Sequence, residues 1–247
     1  MMPLAQIPDT LRQTLMGCDP ASLSNALLKR GLRNTFLKGL SPVAPDQPKL
    51  VGPAFTLRFI PAREDLDTMT LYATGASLHR RAIEECPEGA VLVMATGGDT
   101  RASCMGDMMA LRLKVRGVAG VVSDGGFRDT PGIAGTGLPC FQLSPSGPAT
   151  PIALSPVAFN DPVGCAGVAI YPGDIVVADA SGAVVIPRHL AEEVAAEVAA
   201  AAGYEDFVAA HIRRGRSIFG LFPATPESRA EYDAWVAAGR PQLEDHQ

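Results

Sequence analysis

The chain is poor in aromatic residues (6%) and in charge (19%), and it contains no long apolar run. Without a stretch of about 18 apolar residues, a membrane-spanning helix is not expected. Met1 to Gln13 lack a basic region followed by an apolar one, so no secretory leader is read there. The five cysteines (Cys18, Cys86, Cys104, Cys140, Cys165) are scattered, odd in number and free of any C-x-x-C pair. That pattern disfavours both a thiolate zinc site and a disulfide framework, and it reads as buried thiols in a reducing compartment. Basic charge is in deficit: 21 Lys and Arg against 26 Asp and Glu give a net charge of −5, which argues against a broad phosphate-binding face. His79, His189, His211 and His246 show no ligand spacing and read as packing or surface residues. Neither G-x-x-x-x-G-K-[ST] nor a G-x-G-x-x-G after a strand is present, so no nucleotide motif appears. The expectation is a cytoplasmic, soluble protein with no nucleic-acid or membrane partner.

What is present is a globular composition, 47% hydrophobic and turn-rich, with 25 glycines and 21 prolines. Asp19-Pro20 places a capping carboxylate before a proline at the first helical position, and Leu23, Leu27 and Leu28 follow at helical spacing up to Gly31. Residues 52–60 alternate as a strand, 66–85 carry helical periodicity, and AVLVMA (90–95) is an apolar run of buried-strand type. A loop of small residues (96–106) leads to the helix DMMALRLKVR (107–116), with Met108, Leu111 and Val115 on one face, and then to the strand VAGVVS (118–123). Only this one parallel strand–helix–strand unit is legible, which disfavours a TIM barrel, where about eight are needed. Short strand-like pieces at 139–143, 165–170, 175–178 and 183–186 give the second half an antiparallel character. A long helix (190–214) and a second one (225–238), after the Phe222-Pro223 break, close the chain.

A parallel unit of this kind brings the ends of both strands and the start of the connecting helix to one edge of the sheet. Two loops therefore converge. One ends at Asp107, where the amides of Met108 and Met109 and the helix dipole suit a carboxylate or phosphate. The other, Asp124-Gly125-Gly126-Phe127-Arg128-Asp129, delivers two acids and an arginine. Carboxylates and water suit a hard cation such as Mg²⁺ or Mn²⁺, while arginine grips a carboxylate or enolate oxygen. Each residue also has a plain structural alternative: Asp107 as a helix N-cap, Asp129 as a turn or cap residue, Arg128 as its ion-pair partner. Ser103 and Cys104 lie in the first loop, but neither occupies a nucleophile elbow.

The stretch GDMMALRLKVRGVAGVVSDGGFRD (106–129) resembles the signature of the RraA-like family, which includes the 4-hydroxy-4-methyl-2-oxoglutarate/4-carboxy-4-hydroxy-2-oxoadipate aldolases. The similarity continues through CDPASLSNALLKRG, GPAFTLRF, the Gly97-Gly98 loop and YPGDIVVADASGAVVIP, so it covers most of residues 18–215. It implies an α/β domain of β/β/α swivelling type over residues 1–215, with a C-terminal helical extension at 216–247 packing on the domain or on a neighbouring subunit. It also implies a homotrimer or dimer of trimers, and a divalent-metal-dependent lyase, with Mg²⁺ or Mn²⁺, that acts on a small 2-keto acid. The family pattern of Asp, twenty residues, Arg-Asp is matched by Asp107, Arg128 and Asp129. By that correspondence Asp129 ligates the metal, Asp107 holds water on it, Arg128 binds the keto or enolate oxygen, and Gly106 with the amides of Met108 and Met109 binds the carboxylate. The family's following acid is absent, because positions 132–134 are Gly132, Ile133 and Ala134. Glu205, in the long helix, is the candidate for the glutamate that a neighbouring subunit supplies. Two functions follow: a lyase (aldolase, oxaloacetate decarboxylase, or aldolase or dehydratase on a sugar-derived 2-keto-3-deoxy acid), or a non-catalytic regulator of RraA type that binds and inhibits the endonuclease RNase E.

Overall fold

A computed structural model describes residues 6–240; His246 lies outside them. α1 (Asp9–Met16) and α2 (Pro20–Lys29) precede β1 (Phe36–Leu37), β2 (Ser41–Pro42) and the long β3 (Leu50–Pro61). α3 (Met69–Tyr72) and α4 (Leu78–Glu85) lead into β4 (Val91–Ala95), and β5 (Ser103–Met105) and α5 (Asp107–Val115) lead into β6 (Gly120–Ser123). β7 (Gly126–Phe127) and α6 (Thr130–Thr136) lead into β8 (Cys140–Gln142) and β9 (Ser144–Pro145). β10 (Leu154–Phe159), β11 (Val163–Cys165), β12 (Val168–Ile170), β13 (Ile175–Asp179) and β14 (Gly182–Ile186) follow, and then α7 (Ala191–Arg213) and α8 (Pro226–Ala237). The chain divides into two compact units between Ala195 and Ala196, within α7.

In the first unit the main sheet runs β1-β14-β13-β3-β4-β6-β8-β2, with β10 added to β3. β3, β4, β6 and β8 are parallel neighbours, each joined to the next by helical segments. The expected strand–helix–strand unit is therefore present, and two more flank it. Their signals are faint: the 66–85 periodicity is interrupted at Thr74-Gly75 into α3 and α4, and α6 is the glycine-rich TPGIAGT. The antiparallel character expected of the second half holds for β10, β13, β14 and the β11–β12 hairpin but not for β8, which pairs in parallel with β6. What reads as one strand at 165–170 is that hairpin, turned at Ala166-Gly167 with both residues at positive φ.

The sheet is buried on both faces, which is why β4 is an unbroken apolar run. Leu92 and Met94 face a core with Phe55, Leu57, Leu113 and Ile133, while Val91 and Val93 face a second core with Val122, Phe141 and Val176. Asp19 caps α2, its Oδ1 accepting from the Ser22 amide at 2.8 Å, a contact worth about 1 kcal/mol. α5 corrects the expected packing face. Ala110 and Leu113 are buried, whereas Met108, Leu111 and Val115 are exposed, at 67%, 44% and 70%.

The second unit has its own aromatic core: Tyr204, Phe207, Val208 and Leu221, covered by Tyr232 and Trp235. The Tyr204 hydroxyl is 2.7 Å from Ser228 Oγ, and Thr225 and Ser228 form a reciprocal capping box at the start of α8. Among the described residues, no helix is long and apolar enough to cross a membrane.

Candidate active site

Three loops leave the ends of β4, β6 and β8, and a small parallel sheet, β5-β7-β9, ties them together. Its main-chain bonds include Arg128 N to Met105 O (3.0 Å) and Ser146 N to Phe127 O (2.9 Å). The buried Gln142 side chain adds an acceptor for the Phe127 amide at 2.8 Å. Residues 96–106, read from the sequence as a loop, thus contain a strand that fixes Gly106 and Asp107 beside Arg128.

Asp107, Arg128 and Asp129 converge at this edge. Arg128 Nε lies 3.0 Å from Asp129 Oδ2. A Cβ built on Gly106 would stand 2.9 Å from Arg128 Nε and 3.2 Å from Asp129 Oδ2, and one on Gly132 would stand 2.9 Å from Asp107 Oδ2. Both glycines are thus places where backbone comes within contact of the charged groups. Asp107 is not the N-cap of α5: Gly106 holds that position, and Asp107 is the first helical residue, its Oδ1 accepting from the Met108 amide at 2.8 Å. Asp129 does stand at the N-cap of α6, in the left-handed region at φ 53°, yet its side chain makes no capping bond. A left-handed non-glycine residue stores strain of about 1–3 kcal/mol, which marks a position held for reasons other than helix capping. The Arg128–Asp129 pair is about half exposed, so it adds little to stability and can exchange partners with a ligand.

Asp124, the other acid of the second loop, is removed from the site. It is 4% exposed, its Oδ1 accepts from the Thr96 amide (2.7 Å) and its Oδ2 from the Ala166 amide (3.1 Å), so it pins two turns instead of facing a ligand. Ser103 Oγ donates to Pro148 O at 2.8 Å, and burial pushes the Cys104 thiol up to about 12, so neither is a nucleophile. Of the two helix-start amides, that of Met108 is engaged by Asp107, and that of Met109 has no acceptor within its helix. Glu205 belongs to the second unit, where it is exposed on α7.

A cavity of about 610 Å³ opens here, lined by Gly106, Asp107, Met108, Met109 and Arg128 among others. Its remaining wall includes residues that the sequence reading missed: Tyr72, Arg80 and Thr150, with the Arg112–Glu84 pair at its rim. Tyr72 and Arg80 fall within the helical periodicity of 66–85 and Thr150 in a stretch with no motif, and only the fold brings them to the cavity with Arg128. Arg112 binds both Glu84 oxygens (3.0 Å to Oε1 and 2.8 Å to Oε2) and holds that carboxyl below its usual range.

Among the described residues no group of three or more His, Cys, Asp or Glu could enclose a metal ion. The donor set is instead two carboxylates. Asp107 Oδ2 and Asp129 Oδ1 accept no hydrogen bond from the described residues. Two acids with open oxygens at a water-accessible edge fit Mg²⁺ or Mn²⁺, which keep several waters, and do not fit a cation that needs a full protein cage.

A family model described as RraA-like: Aldolase/RraA matches residues 20–185. This chain belongs to the RraA-like family. Among RraA-like relatives, a protein of Halalkalibacterium halodurans provisionally named a 4-hydroxy-4-methyl-2-oxoglutarate aldolase is 36% identical over 118 residues, 46% of this chain and 54% of that protein. Protein DlpA of Legionella pneumophila is 28% identical over 190 residues, 76% of this chain and 29% of that protein. The chain thus spans only part of the length of these relatives. Among solved structures, Streptomyces coelicolor RraAS2, described as an unusual member of the RNase ES inhibitor RraA protein family, superposes with a TM-score of 0.73 at 33% identity, covering 83% of this chain and 98% of RraAS2. An uncharacterized Pseudomonas syringae protein superposes at 0.78 with 26% identity, covering 94% and 98% of the two chains. The RraA-like assignment bears out the family resemblance and the mixed α/β fold read from the sequence.

Proposed function

We propose that the protein is a divalent-metal-dependent lyase that forms a pyruvate-type enolate from a 2-keto acid, by aldol cleavage or decarboxylation. The observation that carries this reading is the convergence of Asp107, Arg128 and Asp129 around two closely approaching glycines, with Asp129 in a strained conformation and unused as a cap. A relative provisionally named as an aldolase supports the same reading.

Asp129 and Asp107 would hold a Mg²⁺ or Mn²⁺ ion, which supplies Lewis-acid stabilisation of developing negative charge. Arg128 can turn its guanidinium from Asp129 to the keto oxygen and stabilise the charge that builds there as the carbon–carbon bond breaks. The Met109 amide and the start of α5 offer a cradle for the substrate carboxylate. Gly106 lets that carboxylate approach the main chain. Glu205 is assigned as the acid that a neighbouring subunit contributes, which requires a homotrimer or dimer of trimers.

The test is pyruvate release from oxaloacetate and from 4-hydroxy-4-methyl-2-oxoglutarate with Mg²⁺ or Mn²⁺, against an EDTA control. Metal-dependent pyruvate is expected, with Asp129→Ala and Arg128→Lys each lowering kcat/KM by at least about 100-fold, the scale of losing a preorganised electrostatic group. The likeness to RraAS2 favours one second reading, a regulator that binds and inhibits an RNase E-type endonuclease. On that reading no pyruvate forms, and Asp129→Ala leaves endonuclease binding intact.

A further inference from the structure

The cavity is far larger than a three-carbon keto acid needs, and its wall holds one cation that no carboxylate among the described residues neutralises. Three arginines line it. Arg128 pairs with Asp129 and Arg112 with Glu84. Arg80 has no carboxylate within ion-pair distance among the described residues. The acid one turn further along α4, Glu84, would be its natural partner at i+4, but Glu84 is held by both Arg112 and Arg116. Arg80 is nonetheless fixed. Its Nε donates to Tyr72 O at 2.8 Å, and its guanidinium lies over the Tyr72 ring at 5.5 Å from the centroid. Tyr72 in turn has its hydroxyl 3.4 Å from Thr150 Oγ1, which donates to Ser103 O at 2.7 Å. A guanidinium tethered through Nε and stacked on one face keeps both terminal nitrogens for a planar, bidentate anion.

We propose that Arg80 is a specificity-determining residue that binds a second anionic group at the far end of a 2-keto acid whose keto end is held at Arg128. The shared chemistry is a carboxylate or a phosphoryl group. This assignment rests on the 2-keto acid reading of the Arg128 end. It also gives the 66–85 segment a role that Asp107, Arg128 and Asp129 leave unexplained, because α3 and α4, separated at Thr74-Gly75, place Tyr72 and Arg80 on one cavity wall.

The test measures binding, so it does not depend on turnover. In Mg²⁺-containing buffer, calorimetry compares 2-oxoglutarate with 2-oxopentanoate, which share the keto-acid head and carbon number and differ in the terminal carboxylate, and with 2-oxo-4-phosphonobutanoate. Wild-type protein is expected to bind one of the two dianions about 10- to 100-fold more tightly than 2-oxopentanoate, the range of a charge-assisted bidentate contact. The tighter dianion identifies carboxylate or phosphoryl as the group recognised. Arg80→Met, which keeps the length of the side chain, should collapse that ratio to within about twofold, and Arg80→Lys should leave it intermediate. A wild-type ratio near one, or a ratio that survives in Arg80→Met, overturns the assignment; the wild-type ratio needs no variant to fold. A high ratio that depends on Arg80, without pyruvate release from either substrate above, would sink the lyase reading and leave Arg80 in place. Pyruvate release with a ratio near one does the reverse.

Discussion

Gly132, one of the three positions at which the family's further acid would fall, has no room for a side chain. The position faces Asp107 so closely that any Cβ would stand 2.9 Å from both its Cβ and its Oδ2, and the next residue, Ile133, is fully buried in the core. A longer side chain at 132 would displace the acid it is meant to assist. Gly132→Ala should therefore keep the fold and lower pyruvate release by about 10- to 100-fold, as small displacements of a positioned group do; unchanged kinetics would remove Asp107 from the working set. Local reading could not reach this point. Asp107 and Asp129 each look like a helix cap in sequence; the strand–helix–strand geometry brought their two loops to one edge, and the family resemblance singled them out there. Arg80 gave no signal at all, since an arginine on a polar helix face is ordinary.

His79 couples folding to pH. It is fully buried, packs against Phe59 and Tyr72 at 5.5 and 5.6 Å, and neither ring nitrogen has a hydrogen-bond partner among the described residues, the Cys104 main chain facing it without meeting bonding geometry. Burial pushes its pKa down from 6.5 to about 4. Above pH 6.5 the ring is neutral in both folded and unfolded chains. Between about 6.5 and 4 the unfolded chain takes up a proton that the folded one refuses, so stability falls as pH falls, by about 3 kcal/mol in total, and then levels. Denaturant melts across pH 4–7 should show this slope, and His79→Leu should remove it.

Among the elements, legibility followed burial. β4 and β6 stood out because strands covered on both faces become uninterrupted apolar runs, and α2 because Asp19-Pro20 caps it. β5, β7 and β9 left no trace, being two or three residues long, too short for a period. They owe their existence to tertiary pairing, the small sheet formed where β4, β6 and β8 end. Amide hydrogen exchange should find Arg128 and Ser146, both in nominal loops, protected together with the core strands, while Gly97 and Gly98, both exposed and at positive φ, exchange rapidly. Fast exchange at Arg128 would mean that the three loops move separately.

For the whole molecule, the cysteine pattern read correctly as burial. All five thiols are at most 1% exposed, and burial pushes those of Cys86 and Cys104 up to about 12 and that of Cys165 well above the usual thiol range. A thiol-specific reagent should therefore find almost none in the native protein and five after denaturation. Prompt modification of even one would show that part of the core opens under native conditions.

The β5-β7-β9 ribbon also limits how such a protein could be altered. Residues from three successive crossovers are laced to one another by main-chain bonds that do not depend on side-chain identity. Side chains can be exchanged there to try new chemistry while the frame stays in register, but a one-residue insertion within any of the three would rotate every neighbour out of place. A change of length would leave that register intact only outside the ladder, as in residues 96–102 between β4 and β5. This edge of the sheet is therefore open to change in composition and closed to change in spacing.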